Sequence, residues 1–324
     1  MKTKTQFISV ILAAFLGLTM ISCLDDESIT GRFPETPVNF EAVNSEYDDY
    51  NSASPYEIYN EFPLIFSSNR KSEGQEFDFV NLVVNYFYMQ TYNKTVFDTL
   101  SYSYYYYDSL LTKVNSAANE LGPLLLLDAS NSDYFFLYSS DKSGNQDIYY
   151  AKGVNDINPY WNEPLALNKI NTSFNELYPS LNKTADKLYF CSDAEQQFDI
   201  YYVPVSGSIS RWFETEEEII PTSVELLNSP ADDKCPYLNG DLLVFTSNRE
   251  GGYGGYDLYY SVFENGNWSS PVNFGPTINS EYDEYRPIVM YDPFYSNNVM
   301  LFSSNRPGGK GGFDLYYVGI SKMI

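Results

Sequence analysis

The chain has 324 residues, of which 43 are acidic, 19 are basic and none is histidine. A surface this acidic repels phosphate backbones and anionic lipid headgroups, which excludes nucleic-acid binding and electrostatic docking on membranes. The absence of histidine excludes imidazole bases, histidine-containing triads and histidine metal sites. Tyr and Phe occur 32 and 22 times, and no long amphipathic helical period follows Glu41. The composition therefore favours one large all-β domain.

The first 22 residues have the pattern of a secretory signal. Two lysines precede the apolar run at 7–21, which is too short to span a bilayer comfortably. The run ends in Met-Ile-Ser-Cys23, which resembles a bacterial lipobox, in which the cysteine is lipidated and the chain is cut before it. We expect a signal peptide over 1–22, a lipid on Cys23 and an outer-membrane location. An uncleaved membrane anchor is the alternative.

Residues 23–36 are predicted to form an acidic tether from the lipidated cysteine. Leu24 is followed by Asp25, Asp26 and Glu27, which looks like a signal for export to the cell surface, although a solvated tether explains it equally well. Removal of the signal would raise the excess of acidic over basic residues from 24 to 26. Membrane attachment is therefore expected through the lipid only, on either the periplasmic or the surface side.

One sequence unit recurs five times after the tether. It consists of an apolar strand that ends in a small residue, a polar turn that is often rich in glycine, and an aspartate that opens a second strand. Its copies are Leu64–Phe79, Leu137–Tyr150, Leu188–Tyr202, Leu243–Tyr260 and Leu301–Tyr317. The marker residues, 72, 52, 55 and 57 positions apart, are Ser68, Ser140, Ser192, Ser247 and Ser304. A period near 50 residues is typical of a blade repeat.

Each unit extends beyond this motif to four short strands. An acid-x-x-Pro corner precedes a first strand, and a Trp-x-x-Pro segment follows the third. Four antiparallel strands per repeat make a propeller blade. The second strands are apolar on both faces, as expected for strands covered on both sides. The sequence predicts a five-bladed β-propeller over 37–324.

The two ends of the chain are predicted to share the last blade. The final unit stops after its third strand, and the missing strand is found near the N-terminus. Residues 37–50 match 271–274 and 279–285 almost position for position. Pairing of this N-terminal strand with the last blade would close the ring and cover an open sheet edge.

These motifs resemble the TolB-like, WD-repeat-like β-propeller family of Gram-negative envelope lipoproteins, whose repeats read much like F-x-S-N-R-x-G-G-x-G-x-x-D-L-Y. The resemblance covers residues 37–320 and is weakest between Phe79 and Leu121. It implies a scaffold whose faces and channel bind envelope proteins. Known relatives often have six blades, so a sixth blade is kept open.

A tyrosine-rich insertion at about 85–112 separates the first two units. Alternating tyrosines can form a platform for stacked sugars or for a protein partner, because tyrosine gives rigid amphipathic area at low entropic cost. The candidate platform is Tyr102, Tyr104 and Tyr106. The alternative is a lengthened hairpin whose rings pack on its own blade.

Two cysteines remain besides the lipidated one. Cys191 replaces the small strand residue of other units and is expected to be buried. Cys235 aligns with Arg286 of the last unit. A disulfide between the two cysteines stays open, because an exported protein enters an oxidising compartment.

Carboxylates are the remaining candidates for chemistry. One acid stands at the corner before each first strand: Asp49, Glu120, Glu176, Asp233 and Glu284. Equivalent positions on five blades form a ring, so these acids are candidates for binding a cation or sugar hydroxyls at one channel mouth. The alternative is that, with the repeated arginines Arg70, Arg249 and Arg306, they join neighbouring blades.

The sequence leaves two function classes. The first is a non-enzymatic, lipid-anchored scaffold that binds an envelope protein or a glycan. The alternative is a carbohydrate-active enzyme of the five-bladed glycosidase type, which uses carboxylates at the channel mouth. The corner acids are nearly interchangeable by repeat, whereas a glycosidase needs acids in unequal environments. We therefore expect a scaffold without enzymatic activity and without a cofactor; no residues are assigned to a metal, and whether the channel holds a cation stays open.

Overall fold

The computed structural model describes residues 31–128, 132–154 and 160–323. The expected signal peptide, Cys23 and most of the tether lie outside these residues. Within the described ranges no helix is both long and apolar enough to cross a membrane.

Five antiparallel sheets surround a common axis, and each contacts its neighbours through its innermost strand. Blade 5 begins with the N-terminal strand and contains β1 (Val38–Asn39), β20 (Glu284–Met290), β21 (Asn298–Ser304) and β22 (Asp314–Ile320). Blade 1 contains β2 (Asp49–Ala53), β3 (Glu61–Ser68), β4 (Asp78–Met89) and β5 (Lys94–Thr99). Blade 2 contains β6 (Glu120–Asp128), β7 (Asp133–Ser140), β8 (Asp147–Val154), β9 (Tyr160–Trp161) and β10 (Leu165–Ala166).

The other two blades follow the same order. Blade 3 contains β11 (Glu176–Leu181), β12 (Lys187–Ser192), β13 (Asp199–Pro204) and β14 (Thr222–Ser223). Blade 4 contains β15 (Asp233–Asn239), β16 (Leu242–Ser247), β17 (Asp257–Glu264), β18 (Asn267–Trp268) and β19 (Val272–Asn273). The predicted five-bladed β-propeller is thus confirmed, and the described residues form no sixth blade.

Ring closure follows the predicted register. Val38 pairs with Tyr317 and Asn39 pairs with Tyr316. The contacts that close the ring extend to residues before β1, because Phe33 is fully buried and the Gly319 N–H donates to the Pro34 carbonyl. The packed part of the chain therefore begins ahead of the expected boundary at residue 37.

The innermost strand of every blade carries a β-bulge two residues after its corner acid. A left-handed residue occupies each bulge: Asn51 (φ 52°), Gly122 (φ 61°), Tyr178 (φ 58°), Cys235 (φ 56°) and Arg286 (φ 47°). Four of them are not glycine, and such a conformation persists only where its surroundings fix it. The fixing contact joins neighbouring blades: the Arg286 N–H donates to Thr246 Oγ1 at 3.2 Å, and the Tyr178 N–H donates to Ser139 Oγ at 3.2 Å. The same contact joins the Asn51 N–H to Ser303 Oγ, so it explains the small hydroxyl residue inside three of the second strands.

Two short helices interrupt the strand pattern. The tyrosine-rich insertion ends in α1 (Tyr105–Val114), and α2 (Ile209–Glu214) follows β13. The predicted hairpin in the insertion is therefore wrong from Tyr105 onward. α1 buries Leu110 and Val114 against blades 1 and 2, and burial of this apolar side outweighs the strand preference of its aromatic residues.

Candidate functional site

Each corner acid begins the innermost strand of its blade, and its carboxylate is buried in the turn before that strand. All five are at most 1% exposed, and each accepts a backbone N–H four residues earlier, from Ser45, Ser116, Thr172, Ser229 or Ser280. Among the described residues, no group of three or more Asp, Glu or Cys is arranged to hold a metal ion. These contacts favour a structural role over the expected ligand binding: each acid ties its own turn to its own blade.

Arginine neutralises three of the corner acids. Arg306 donates from Nη2 to Glu284 at 2.7 Å and from Nε to Ser304 Oγ at 3.1 Å. Arg70 and Arg249 make the same contacts with Asp49 and Asp233. Each guanidinium also bonds a backbone carbonyl of the turn before the acid. The pairs are therefore structural, but each one lies within a single blade and does not join neighbouring blades as the alternative expected.

Blades 2 and 3 lack this arginine, so their corner acids have a different environment. Glu120 accepts from Ser116 Oγ at 2.6 Å and Ser140 Oγ at 3.1 Å, and burial raises its pKa to about 7. Glu176 has equivalent hydroxyl partners in Thr172 and Ser192, and burial raises its pKa as well. The corner acids are therefore less interchangeable than the repeat suggested.

Aromatic side chains fill the corner end of the axis. Tyr50 stacks on Tyr285 with ring centroids 5.4 Å apart, and it meets Phe313 edge-on at 5.2 Å. Tyr178 meets Tyr285 at 6.3 Å. These rings pack together on the axis beside the corner acids.

The opposite mouth is open. A cavity of about 300 Å³ lies at the far ends of the inner strands, and we call it the axial cavity. Its wall is formed by Leu124, Leu126, Ser180 and Tyr237, with Tyr56 at the rim. A second cavity of about 260 Å³ shares Tyr56 with it and reaches Tyr291 and Asp241. The two cavities form a shallow basin with tyrosine and polar groups.

Half-exposed tyrosines continue outward from this basin over blade 1. We call Tyr56, Tyr59, Tyr102 and Tyr104 the tyrosine track; their exposed fractions are 51%, 52%, 49% and 37%. Tyr59 pairs with Glu61 through an isolated bridge, and Tyr102 and Tyr104 each donate a hydroxyl hydrogen bond of 2.6 Å to Glu61. The track therefore links the axial mouth to the insertion.

Only part of the expected aromatic platform belongs to this surface. Tyr102 and Tyr104 lie on it, with centroids 6.1 Å apart. Tyr106 instead packs 4.9 Å from the Trp161 ring inside the core between blades 1 and 2. The helical start of α1 turns Tyr106 away from its neighbours, so the platform of three alternating rings is corrected to two.

Two carboxylates lie along the track, an exposed one of Glu57 and a half-buried one of Glu61. Glu61 receives both insertion hydroxyls, which lower its pKa, and Glu57 accepts the Tyr59 hydroxyl, which raises the pKa of that tyrosine to about 12. Sequence reasoning missed both acids because neither belongs to the repeat. Their only sequence signal is the run Tyr-Glu-Ile-Tyr-Asn-Glu at 56–61, which interrupts the first unit.

The cysteines are both buried and unpaired. Cys191 Sγ donates to the Leu177 carbonyl at 3.6 Å, and Cys235 occupies a bulge. The open question of a disulfide is settled against it in this structure.

Comparison with known proteins places the fold among glycoside hydrolases. No family model matches the chain, and no curated protein sequence matches it. A GH62 hydrolase in complex with xylotriose aligns over 89% of this chain and 97% of its own at 11% identity, with a TM-score of 0.54. A thermostable family-43 glycoside hydrolase aligns over 90% and 94% at 13% identity, with a TM-score of 0.53. A putative TolB from Agrobacterium tumefaciens covers 83% of this chain at 11% identity with a TM-score of 0.41, too low to support an argument.

These neighbours contradict the expectation that the chain is not an enzyme. Both structures with a TM-score above 0.5 named here are glycoside hydrolases. At such identities the likeness establishes the five-bladed fold. The β-propeller architecture that the TolB-like resemblance implied is thus supported.

Proposed function

We propose that this protein is a carbohydrate-active enzyme that binds a glycan along the tyrosine track and hydrolyses a glycosidic bond beside Glu57 and Glu61. The observation that carries the proposal is the set of half-exposed tyrosines on blade 1 and the insertion, with an exposed Glu57 and a half-buried Glu61 beside them, that begins at the axial cavity. The fold shared with GH62 and family-43 hydrolases supports the same reading.

The track suits a sugar chain for chemical reasons. Pyranose rings present apolar faces that stack on tyrosine, and their hydroxyls donate to carboxylates. The track is acidic, and the whole chain carries 24 more acidic than basic residues. A neutral glycan avoids the charge repulsion that a polyanion would meet there.

Glycoside hydrolysis uses two carboxyl groups in different protonation states. Glu61 is suited to the role of base or nucleophile, because two hydroxyl hydrogen bonds favour its ionised form. Glu57, which accepts the Tyr59 hydroxyl, is the second carboxyl that we propose for the reaction. The five corner acids are not used, because they are buried and fully engaged within their blades.

The test is the release of reducing ends from a panel of neutral polysaccharides that includes xylan and arabinoxylan. Wild-type protein should release product, and Glu57→Gln and Glu61→Gln should each lower the rate by at least about 100-fold. Glu264→Gln serves as the matched control, since Glu264 is also an exposed glutamate but ends β17 in blade 4. All three variants should keep the wild-type melting temperature.

The two parts of the proposal, glycan binding and hydrolysis, can be refuted separately. If Glu61→Gln hydrolyses the polysaccharide as fast as the control Glu264→Gln, the Glu61 carboxylate takes no part in the reaction. If affinity electrophoresis shows retardation by a polysaccharide that the protein never cleaves, hydrolysis is overturned and glycan capture remains.

We also propose that the protein is exported and held on the outer membrane by a lipid on Cys23, with an envelope protein or a glycan as its partner. The support is the apolar run and lipobox-like sequence at 7–23. Labelling with a radioactive fatty acid should mark the wild type and not Cys23→Ala. Equal labelling of both would refute the assignment.

A further inference from the structure

The axis of the propeller contains a buried arginine without a counter-ion. Arg286 occupies the bulge of β20, and its side chain is fully buried. Its guanidinium makes one hydrogen bond, from Nη2 to the Pro123 carbonyl at 3.1 Å, while Nε and Nη1 have no partner. A buried charge is normally paired, because desolvation of an isolated ion costs several kcal/mol.

The contacts of this guanidinium place it on the axis itself. It reaches from blade 5 to the Pro123 carbonyl in blade 2, and it lies 5.7 Å from the Tyr178 ring in blade 3 and 5.9 Å from the Tyr237 ring in blade 4. Arg286 itself and these three contacts involve four of the five blades. The remaining blade around the axis is blade 1.

Blade 1 presents a second side chain without partners at this level. Asn51 is the bulge residue of β2, next along the ring from Arg286, and it is fully buried with both Nδ2 and Oδ1 unpaired. The residues just before the two bulges, Tyr50 and Tyr285, stack on each other at 5.4 Å, which sets the two bulges at the same height. Three unpaired N–H donors, Arg286 Nε and Nη1 and Asn51 Nδ2, therefore share one layer of the channel.

No described protein group supplies the missing negative charge. The ionisable groups that act on Arg286 are Cys235, Tyr178, Tyr237 and Cys191, and burial raises the pKa of each one, so all are neutral at pH 7. Water could satisfy the hydrogen bonds but would leave the positive charge uncompensated.

We propose that a small monovalent anion, of the size and charge of chloride, binds on the propeller axis between Arg286 and Asn51. Its ligands would be Nε and Nη1 of Arg286 and Nδ2 of Asn51. Arg286 is fully buried and does not line the axial cavity, so the site fits an enclosed ion. An anion here would join the inner strands of blades 1 and 5, which are the two blades nearest the ring closure.

The test compares thermal unfolding in chloride and in gluconate, a bulky anion, at constant ionic strength. Above its dissociation constant, each tenfold increase in chloride should raise the melting temperature of the wild type by about 2 to 3 °C, because a ligand that binds only the native state stabilises it. Bromide should replace chloride, and anomalous diffraction from bromide-soaked crystals should show a peak beside Arg286.

Asn51→Asp provides the decisive variant, since it places a fixed carboxylate next to the guanidinium. Its melting temperature should no longer depend on chloride. Asn267→Asp adds the same charge at an exposed site in β18 and should keep the wild-type dependence. Arg286→Met should also lose the dependence; if it does not fold, Asn51→Asp carries the test. A chloride dependence that is equal in Asn51→Asp and wild type, or absent from the wild type, would overturn the proposal.

Discussion

Phe40 provides a direct measure of how much the shared last blade contributes to stability. The residue follows β1, is 1% exposed, and packs against Phe97 at 5.2 Å and Tyr317 at 5.4 Å. Phe→Ala at a fully buried site costs about 3 to 5 kcal/mol from lost transfer energy and the cavity that remains. Phe40→Ala should therefore lower the free energy of unfolding by about 3 to 5 kcal/mol in urea denaturation.

Phe274 offers a matched control within the same protein. It occupies the same position of the Pro-Val-Asn-Phe motif in blade 4, is only partly buried, and packs against Tyr260 at 4.9 Å. Phe274→Ala should cost roughly half as much, because less apolar area is lost. The difference between the two variants isolates the extra burial at the closing strand.

Hydrogen exchange separates the loss of closure from a general loss of stability. The Leu315 N–H donates to Asn44 Oδ1 at 2.9 Å across the closure, and the Leu258 N–H makes the equivalent bond to Asn279 at 2.8 Å within blade 4. In Phe40→Ala the Leu315 amide should exchange faster than the Leu258 amide. Equal unfolding energies for the two variants, or unchanged exchange at Leu315, would refute the view that pairing of the chain ends locks the ring.

Three further predictions concern a corner acid, the Asn305–Asp283 pair and the tyrosines of the insertion. Burial raises the pKa of Glu120 from 4.5 to about 7, so the native state binds the proton more tightly than the unfolded state does. The stability that this gives is complete below pH 4.5 and is lost as the pH rises through 7. Glu120→Gln should remove up to about 3 kcal/mol of this pH dependence, measured by urea titrations at pH 5 and pH 8. Asn305→Asp places a second carboxylate where Asn305 Nδ2 now donates to Asp283 at 3.0 Å, and it should lower the free energy of unfolding by about 1 to 3 kcal/mol. Adding Asp283→Asn should restore the free energy of unfolding. If the losses from the two substitutions add instead, the pairing of these side chains is refuted. Tyr102→Ser should leave the melting temperature almost unchanged while Tyr106→Ser lowers it by several degrees, since only Tyr106 packs in the core; equal shifts would contradict the assignment.

The repeat made the fold accessible from sequence alone. Five copies with aligned marker residues predict five blades, and the match between residues 37–50 and 271–285 predicts the pairing of Val38 with the last blade. Both follow from local patterns that recur, because each blade solves the same packing problem with the same residues. The repeat alignment also shows an Asn–Asp pair whose two positions are swapped between blades. Blade 5 has Asp283 paired with Asn305, and blade 2 has Asn119 paired with Asp141.

The candidate site could not be read in the same way. The tyrosine track depends on Tyr56, Tyr59 and the insertion, none of which has a counterpart in other units. Likewise, α1 was missed because its helix is stabilised by contacts with two blades rather than by its own sequence. Which tyrosines of the insertion face solvent is decided by that helix.

The repeated and the unique residues of this chain serve different purposes. The corner acids accept the same backbone hydrogen bond in all five blades, so a change at any one of them should alter stability before it alters ligand binding. The bulge position is the opposite case, because the same backbone geometry carries Asn, Gly, Tyr, Cys and Arg in turn. A ring of equivalent positions with five different side chains cannot be explained by the needs of the repeat. The proposed ion site and the proposed glycan track both lie where the five-fold pattern is broken, and their selectivity would come from these unique side chains.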